Sequence, residues 1–95
     1  MKTIIIIPTL NEKKNITSLV KKIIKINNKF DLLFVDDNST DGTRTDIIKF
    51  NKKNKKIKFI FRKKKYGVGS AHKEALSYAY KQKYNIAITM DADGT

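Results

Sequence analysis

The sequence predicts an α/β fold, a mostly parallel sheet with helices on both faces. Three observations point there. Short continuous apolar runs at 4–7, 32–35 and 86–90 read as parallel strands, the first as a buried one. The segments between them switch to a helical period. Finally, Glu12, Asp36, Asp37, Asp91 and Asp93 each fall just after one of those runs, in a chain with 21 Lys+Arg against 9 Asp+Glu. Parallel strands would gather these scarce acids at one sheet edge. Like charges gathered there need a cation, which points to a metal site facing an anionic ligand.

The elements follow in order. Residues 2–7 form a strand stopped by Pro8. Over 12–26, Ile16, Leu19, Val20, Ile23 and Ile24 share one helical face. Asn11 is the expected N-cap, Glu12 suits the positive end of the helix dipole, and Asn27-Asn28 closes the helix. A second strand at 30–36 leads into the turn cluster Asn38-Ser39-Thr40-Asp41-Gly42. A helix over 43–53 should bury Ile47, Ile48 and Phe50. In the third strand, 57–62, Phe59 and Phe61 face one way and Ile60 the other. A basic, glycine-bearing loop at 63–69 precedes a helix over 70–82, whose small-residue face is Ala71, Ala75, Tyr78 and Ala79. The fourth strand spans 85–90. This βαβαβαβ order implies right-handed crossovers. A last strand that delivers two aspartates and then stops looks truncated, with one side left exposed.

Ninety-five residues suit one small domain or part of a larger one. The absence of Cys excludes disulfides and thiolate metal sites. No segment has the length of a signal peptide core or a membrane span. A cytoplasmic location is compatible with this. The net charge of +12 reads first as solvated Lys faces. The Lys clusters at 52–58 and 63–65 could still bias the protein toward the cytoplasmic face of a membrane.

Asp91-Ala92-Asp93 is the sharpest candidate site. Two carboxylates one residue apart at a strand end can hold Mg²⁺ or Mn²⁺, with diphosphate oxygens completing the shell. A pair of turn aspartates is the bland alternative. Asp36-Asp37 is richer, because adjacent carboxylates repel and are seldom placed at a strand end for stability. At least one is expected to serve a ligand, such as a nucleobase N–H. Residues 39–43 are expected to be a capped turn, with Asp41 as N-cap and Gly42 supplying conformational freedom. A receiver-type phosphorylation site would want the acids in a different strand order. The segment Pro8-Thr9-Leu10-Asn11-Glu12 lacks the glycines of a dinucleotide fold, which argues against NAD. Tyr66-Gly67-Val68-Gly69-Ser70 offers either a phosphate nest or a tight loop entry, and lacks the Walker ending. His72 is expected at the surface or half-buried, not as a metal ligand.

Taken together, Ile7 to Glu12 with Asn15-Ile16, Val35 to Thr43, Gly67 to Ala71 and Met90 to Asp93 resemble family 2 glycosyltransferases of the GT-A fold. The glycine loop running into Ser-Ala and the Met-Asp-Ala-Asp look closest to polyprenol- or dolichol-phosphate mannosyltransferases. The resemblance covers nearly the whole chain and implies a Rossmann-like, nucleotide-binding half with strand order 3-2-1-4. It implies that residues 1–95 are the nucleotide-sugar-binding part of such a domain. Pro8, Leu10 and Glu12 would line the nucleotide pocket, and Val35 and Asp37 would contact base and ribose. Asp91 and Asp93, flanking Ala92, would hold the metal and through it the diphosphate. The family more often has an aromatic where Leu10 stands, Gly at Asn38 and Leu at Gly94.

The implied activity is metal-dependent, inverting transfer of a sugar to a polyprenol phosphate or other lipid-phosphate or glycan acceptor. Mannose from GDP-mannose is the first expectation, a UDP-sugar the alternative. The isolated chain is expected not to turn over, and a base for a hydroxyl acceptor would lie downstream of Thr95. Two other classes stand beside this one. A non-catalytic nucleotide-diphosphate-binding module would bind without transfer. A basic nucleic-acid-binding domain ranks last, because interleaved exposed aromatics are missing; no nucleic acid partner is expected.

Overall fold

In the computed structural model, residues 1–64 and 66–93 are described. The chain runs β1 (Thr3–Thr9), α1 (Lys13–Ile26), β2 (Asp31–Asp36), α2 (Thr43–Lys53), β3 (Ile57–Phe61), α3 (Val68–Lys81) and β4 (Ile86–Thr89). The four strands form one parallel sheet in the order β3-β2-β1-β4. The order anticipated from the sequence is thus the observed one.

Alternation along β1 explains why four consecutive isoleucines are all buried. Ile5 and Ile7 pack with Leu32 and Phe34 beneath α1 and α2, where Ile16, Leu19, Val20, Ile23 and Ile47 meet them. Ile4 and Ile6 face the other way with Leu33 and Val35, against Ala71, Ala75 and Ala79 of α3. The alanine stripe lets α3 lie close to the sheet. Helices therefore cover both faces, and the central strands β1 and β2 carry the core.

Several local expectations change. β1 runs through Pro8, which pairs in register with Val35. The Ile6 carbonyl accepts Met90 N–H on the β4 side of β1. Pro8, two residues on, faces that same side beyond the last β4 pair, so its missing donor costs no ladder bond. α3 begins at Val68, two residues early, after Gly67 with φ 91°. Ile24 and Ile48 are each 37% exposed, so the buried faces of α1 and α2 are narrower than their patterns suggest. All four β4 residues are exposed, and among the described residues no strand covers its outer edge. Phe59 and Phe61 do share a face, their rings stacked 4.4 Å apart. No helix among the described residues is long and apolar enough to cross a membrane. Lys52, Lys53, Lys55, Lys56, Lys63 and Lys64 are exposed; Lys65 and Gly94 lie outside the described residues.

Candidate functional site

β1 has β2 on one side and β4 on the other, so the strand order reverses between β1 and β4. Parallel sheets open a crevice at such a point, beyond the strands' carboxyl ends. A cavity of about 270 Å³ lies there. The end of β1 contributes Pro8, Thr9, Leu10 and Glu12; Asp37 comes from beyond β2, Gly67 from before α3, and Asp91, Ala92 and Asp93 from after β4. Ala92 is buried in the cluster under α1, while Asp91 and Asp93 on either side are exposed. That anchor holds both carboxylates at the cavity. Val35 is the exception among the expected site residues. Its side chain is fully buried in the cluster beneath α3 and does not line the cavity.

Asp36 and Asp37 point to opposite sides, as successive strand residues do. Asp36 is fully buried. It accepts Thr9 Oγ1 at 2.6 Å, Ser39 N–H at 2.8 Å and Arg44 Nε at 2.6 Å. Burial pushes its carboxyl up, but the hydrogen bonds from Ser39, Thr9 and Arg44 outweigh it and hold the group below its ordinary range. Asp37 lines the cavity and accepts Arg62 Nε at 2.5 Å through Oδ1. Its Oδ2 accepts the backbone N–H groups of Tyr66 at 3.2 Å and Gly67 at 3.1 Å. The Asp37 hydrogen bond, more than any other influence, raises the pKa of Arg62.

The adjacent aspartates therefore need no metal: each has an arginine. Arg44 and Arg62 are the only arginines in the chain, against 19 lysines. That contrast was the available signal. Where solvated charge suffices this sequence uses Lys, and where a buried carboxylate must be met by a planar fork it uses Arg. Gly67 also departs from the phosphate-nest expectation, since its N–H is committed to Asp37.

The loops after β1 and β2 are joined by reciprocal bonds. Asn11 N–H donates to Ser39 Oγ at 2.7 Å, and Thr40 N–H donates back to Asn11 Oδ1 at 2.9 Å. Asn11 thus does not cap α1; it sits at φ 56° and Glu12 takes the cap position. The α1 terminus is satisfied from across the loop, where Asp41 Oδ2 accepts Lys13 N–H at 3.1 Å. Asp41 Oδ1 also accepts Thr43 N–H at 3.0 Å. Its carboxyl is lowered chiefly by the Thr43 side-chain hydrogen bond. Gly42, with φ 100°, occupies the position needing conformational freedom, and Asn38 at φ 63° stands where glycine would be at ease.

Asp91 and Asp93 supply hard oxygen donors to one cavity that also holds Glu12. Among the described residues no group of three or more His, Cys, Asp or Glu converges as a metal cage. Two carboxylates fit an ion of the Mg²⁺ type, which keeps waters and takes phosphate oxygens for the rest of its shell. His72 is half-buried in the second turn of α3 and does not line the cavity.

Known proteins resemble this chain in sequence and fold. The chain is 30% identical over 96 residues to the polyprenol monophosphomannose synthase of Mycolicibacterium smegmatis, covering 99% of this chain and 36% of that protein. It is 31% identical over 94 residues to the dolichol-phosphate mannosyltransferase of Saccharomyces cerevisiae, covering 94% and 34%. Among solved structures, a mannosyltransferase from Pyrobaculum calidifontis in complex with GDP-Man and Mn²⁺ superposes with TM-score 0.83 at 25% identity, over 97% of this chain and 27% of that one. TarS of S. aureus in complex with UDP gives TM-score 0.83 at 29% identity, over 98% and 28%. The chain thus spans about a third of the curated relatives' length. The family model for glycosyl transferase family 2 matches residues 4–95, nearly the whole sequence. On that match the chain belongs to glycosyl transferase family 2.

Proposed function

We propose that this chain is the donor-binding part of a glycosyltransferase that moves mannose from GDP-mannose to a polyprenol phosphate. The observation carrying this is one cavity lined by Glu12, Asp37, Asp91 and Asp93, in a chain whose curated relatives are named as lipid-phosphate mannosyltransferases. Pro8 and Leu10 give the cavity an apolar wall for the nucleoside. Asp37 keeps acceptor capacity for a base or ribose donor. Asp91 and Asp93 would hold Mg²⁺ or Mn²⁺. Such an ion, when bound, neutralises charge on the leaving nucleoside diphosphate.

The transfer is inverting. An oxygen of the acceptor phosphate forms the new bond to the anomeric carbon as the bond to the donor diphosphate breaks, and the electron pair leaves with the nucleoside diphosphate. A phosphate acceptor is already ionised near neutral pH and needs no protein base. The exposed lysines suit an anionic membrane surface at the cytoplasmic face.

Calorimetric competition between GDP-mannose and UDP-glucose, in Mn²⁺, tests the donor. GDP-mannose should bind about ten-fold more tightly, a difference of about 1.4 kcal/mol. Preference for UDP-glucose would overturn the mannose assignment.

A further inference from the structure

We infer that Arg62 is a positioning residue for donor binding, an inference that rests on the donor-site function proposed above. Arg62 sits one residue past β3 with its side chain only 4% exposed. Its three guanidinium nitrogens tie the end of β2 to the start of α3. Nε holds Asp37 Oδ1 at the end of β2, at 2.5 Å. Nη2 donates to the Gly67 carbonyl at 3.2 Å, and Nη1 donates to Ser70 Oγ on α3 at 2.9 Å and pairs with Glu74 Oε1 at 3.5 Å. The guanidinium also stacks over the Tyr66 ring, 4.9 Å from its centroid.

Gly67 is therefore gripped through both of its flanking peptide groups. Its N–H donates to Asp37 and its carbonyl accepts from Arg62. It is held at φ 91°, a conformation that L side chains rarely adopt. Gly67 and Asp37 both line the cavity. Arg62 thus sets that wall through them without lining it.

The pair also limits what Asp37 offers. A carboxylate has about four acceptor positions. Two N–H groups occupy Oδ2 and Arg62 occupies one position of Oδ1. About one position, on Oδ1, is left for a ligand donor. Without Arg62, Asp37 would turn toward solvent and release Tyr66 and Gly67. Lysine cannot replace it, because one ammonium cannot span three fixed directions.

The test compares wild type, Arg62→Lys and Gly67→Ala. Amide exchange of Tyr66 and Gly67 is followed by NMR, and GDP affinity is measured by calorimetry with and without Mn²⁺. Arg62→Lys should keep exchange protection in β1 and β2, lose about ten-fold of it at Tyr66 and Gly67, and bind GDP about ten-fold more weakly. The ratio of affinities with and without Mn²⁺ should not change, since Asp91 and Asp93 are untouched. Gly67→Ala guards against a variant that fails to fold. A Cβ there meets nothing within 4 Å, so only the backbone is strained. It should weaken GDP binding while unfolding as a single cooperative transition. Unchanged Tyr66 and Gly67 protection in Arg62→Lys, or wild-type GDP affinity in either folded variant, overturns the inference. Failure of wild type to bind any nucleotide overturns the donor function instead, and is read from a separate measurement.

Discussion

The Thr43 hydroxyl accepts the backbone N–H of Glu12 at 3.0 Å, across 31 residues of sequence. Thr43 is fully buried, and its hydroxyl donates a hydrogen bond to Asp41 Oδ1. A parallel relay runs beside it, from Asn11 N–H through Ser39 to Asp36. The two hydroxyls fasten the loop that carries Leu10 and Glu12 to the loop after β2. The cavity wall at Glu12 therefore depends on residues that never touch the cavity.

Thr43→Val tests that dependence. It keeps the shape of the side chain and removes both hydrogen bonds. The Glu12 amide and Asp41 would each lose a partner, at a cost of about 1–3 kcal/mol. Urea denaturation should show the loss in midpoint with an unchanged slope. A variant as stable as wild type would mean that water replaces the hydroxyl at no cost.

Asp36 carries a pH dependence whose sign can be worked out. Its folded carboxyl lies below the ordinary range, so folding favours the ionised form. Its contribution is complete above the unfolded value, about 3.9, and is lost as pH falls through the lower folded value. Asp36→Asn should cost about 2 kcal/mol at pH 7, less than a fully buried pair because the Arg44 side chain is 26% exposed. The gap between wild type and variant should stay constant down to about pH 4 and then shrink. A gap that widens in acid would contradict this assignment.

Leu10 is 38% exposed on the cavity wall, where an aromatic would give a ligand base a stacking surface. Leu10→Tyr should strengthen GDP binding several-fold, as expected for a contact of about 0.5–1.5 kcal/mol. Calorimetry on both proteins checks it; weaker binding would show that the base lies elsewhere.

The fold was legible because its carriers are local. The isoleucine run, the helical spacing from Ile16 to Ile23 and the alanines of α3 each state their own burial. Asp91 and Asp93 were legible for the same reason, since one strand end delivers both. The arginine partners were not, because Arg62 meets Asp37 across 25 residues and Arg44 meets Asp36 across eight. Periodicity carries no trace of such pairs. The capping of α1 was misplaced on the same account. Asn11 has the right chemistry for a cap, but Thr40 claims its side-chain oxygen and Asp41 reaches over instead. Pro8 misled by its type, since nothing in its own neighbourhood tells that β4 ends before reaching it.

Metal-dependent nucleotide binding through Asp91 and Asp93 is the central claim. The most direct measurement is calorimetric titration of GDP, with and without Mn²⁺, into wild type and into Asp91→Asn/Asp93→Asn, after circular dichroism shows both folded. Both side chains are exposed, so the double substitution should leave the fold intact. Wild type should bind GDP with Mn²⁺ at least about ten-fold more tightly than without it, and the variant should lose that gain. Equal binding with and without Mn²⁺, or a variant that binds as wild type does, would contradict it.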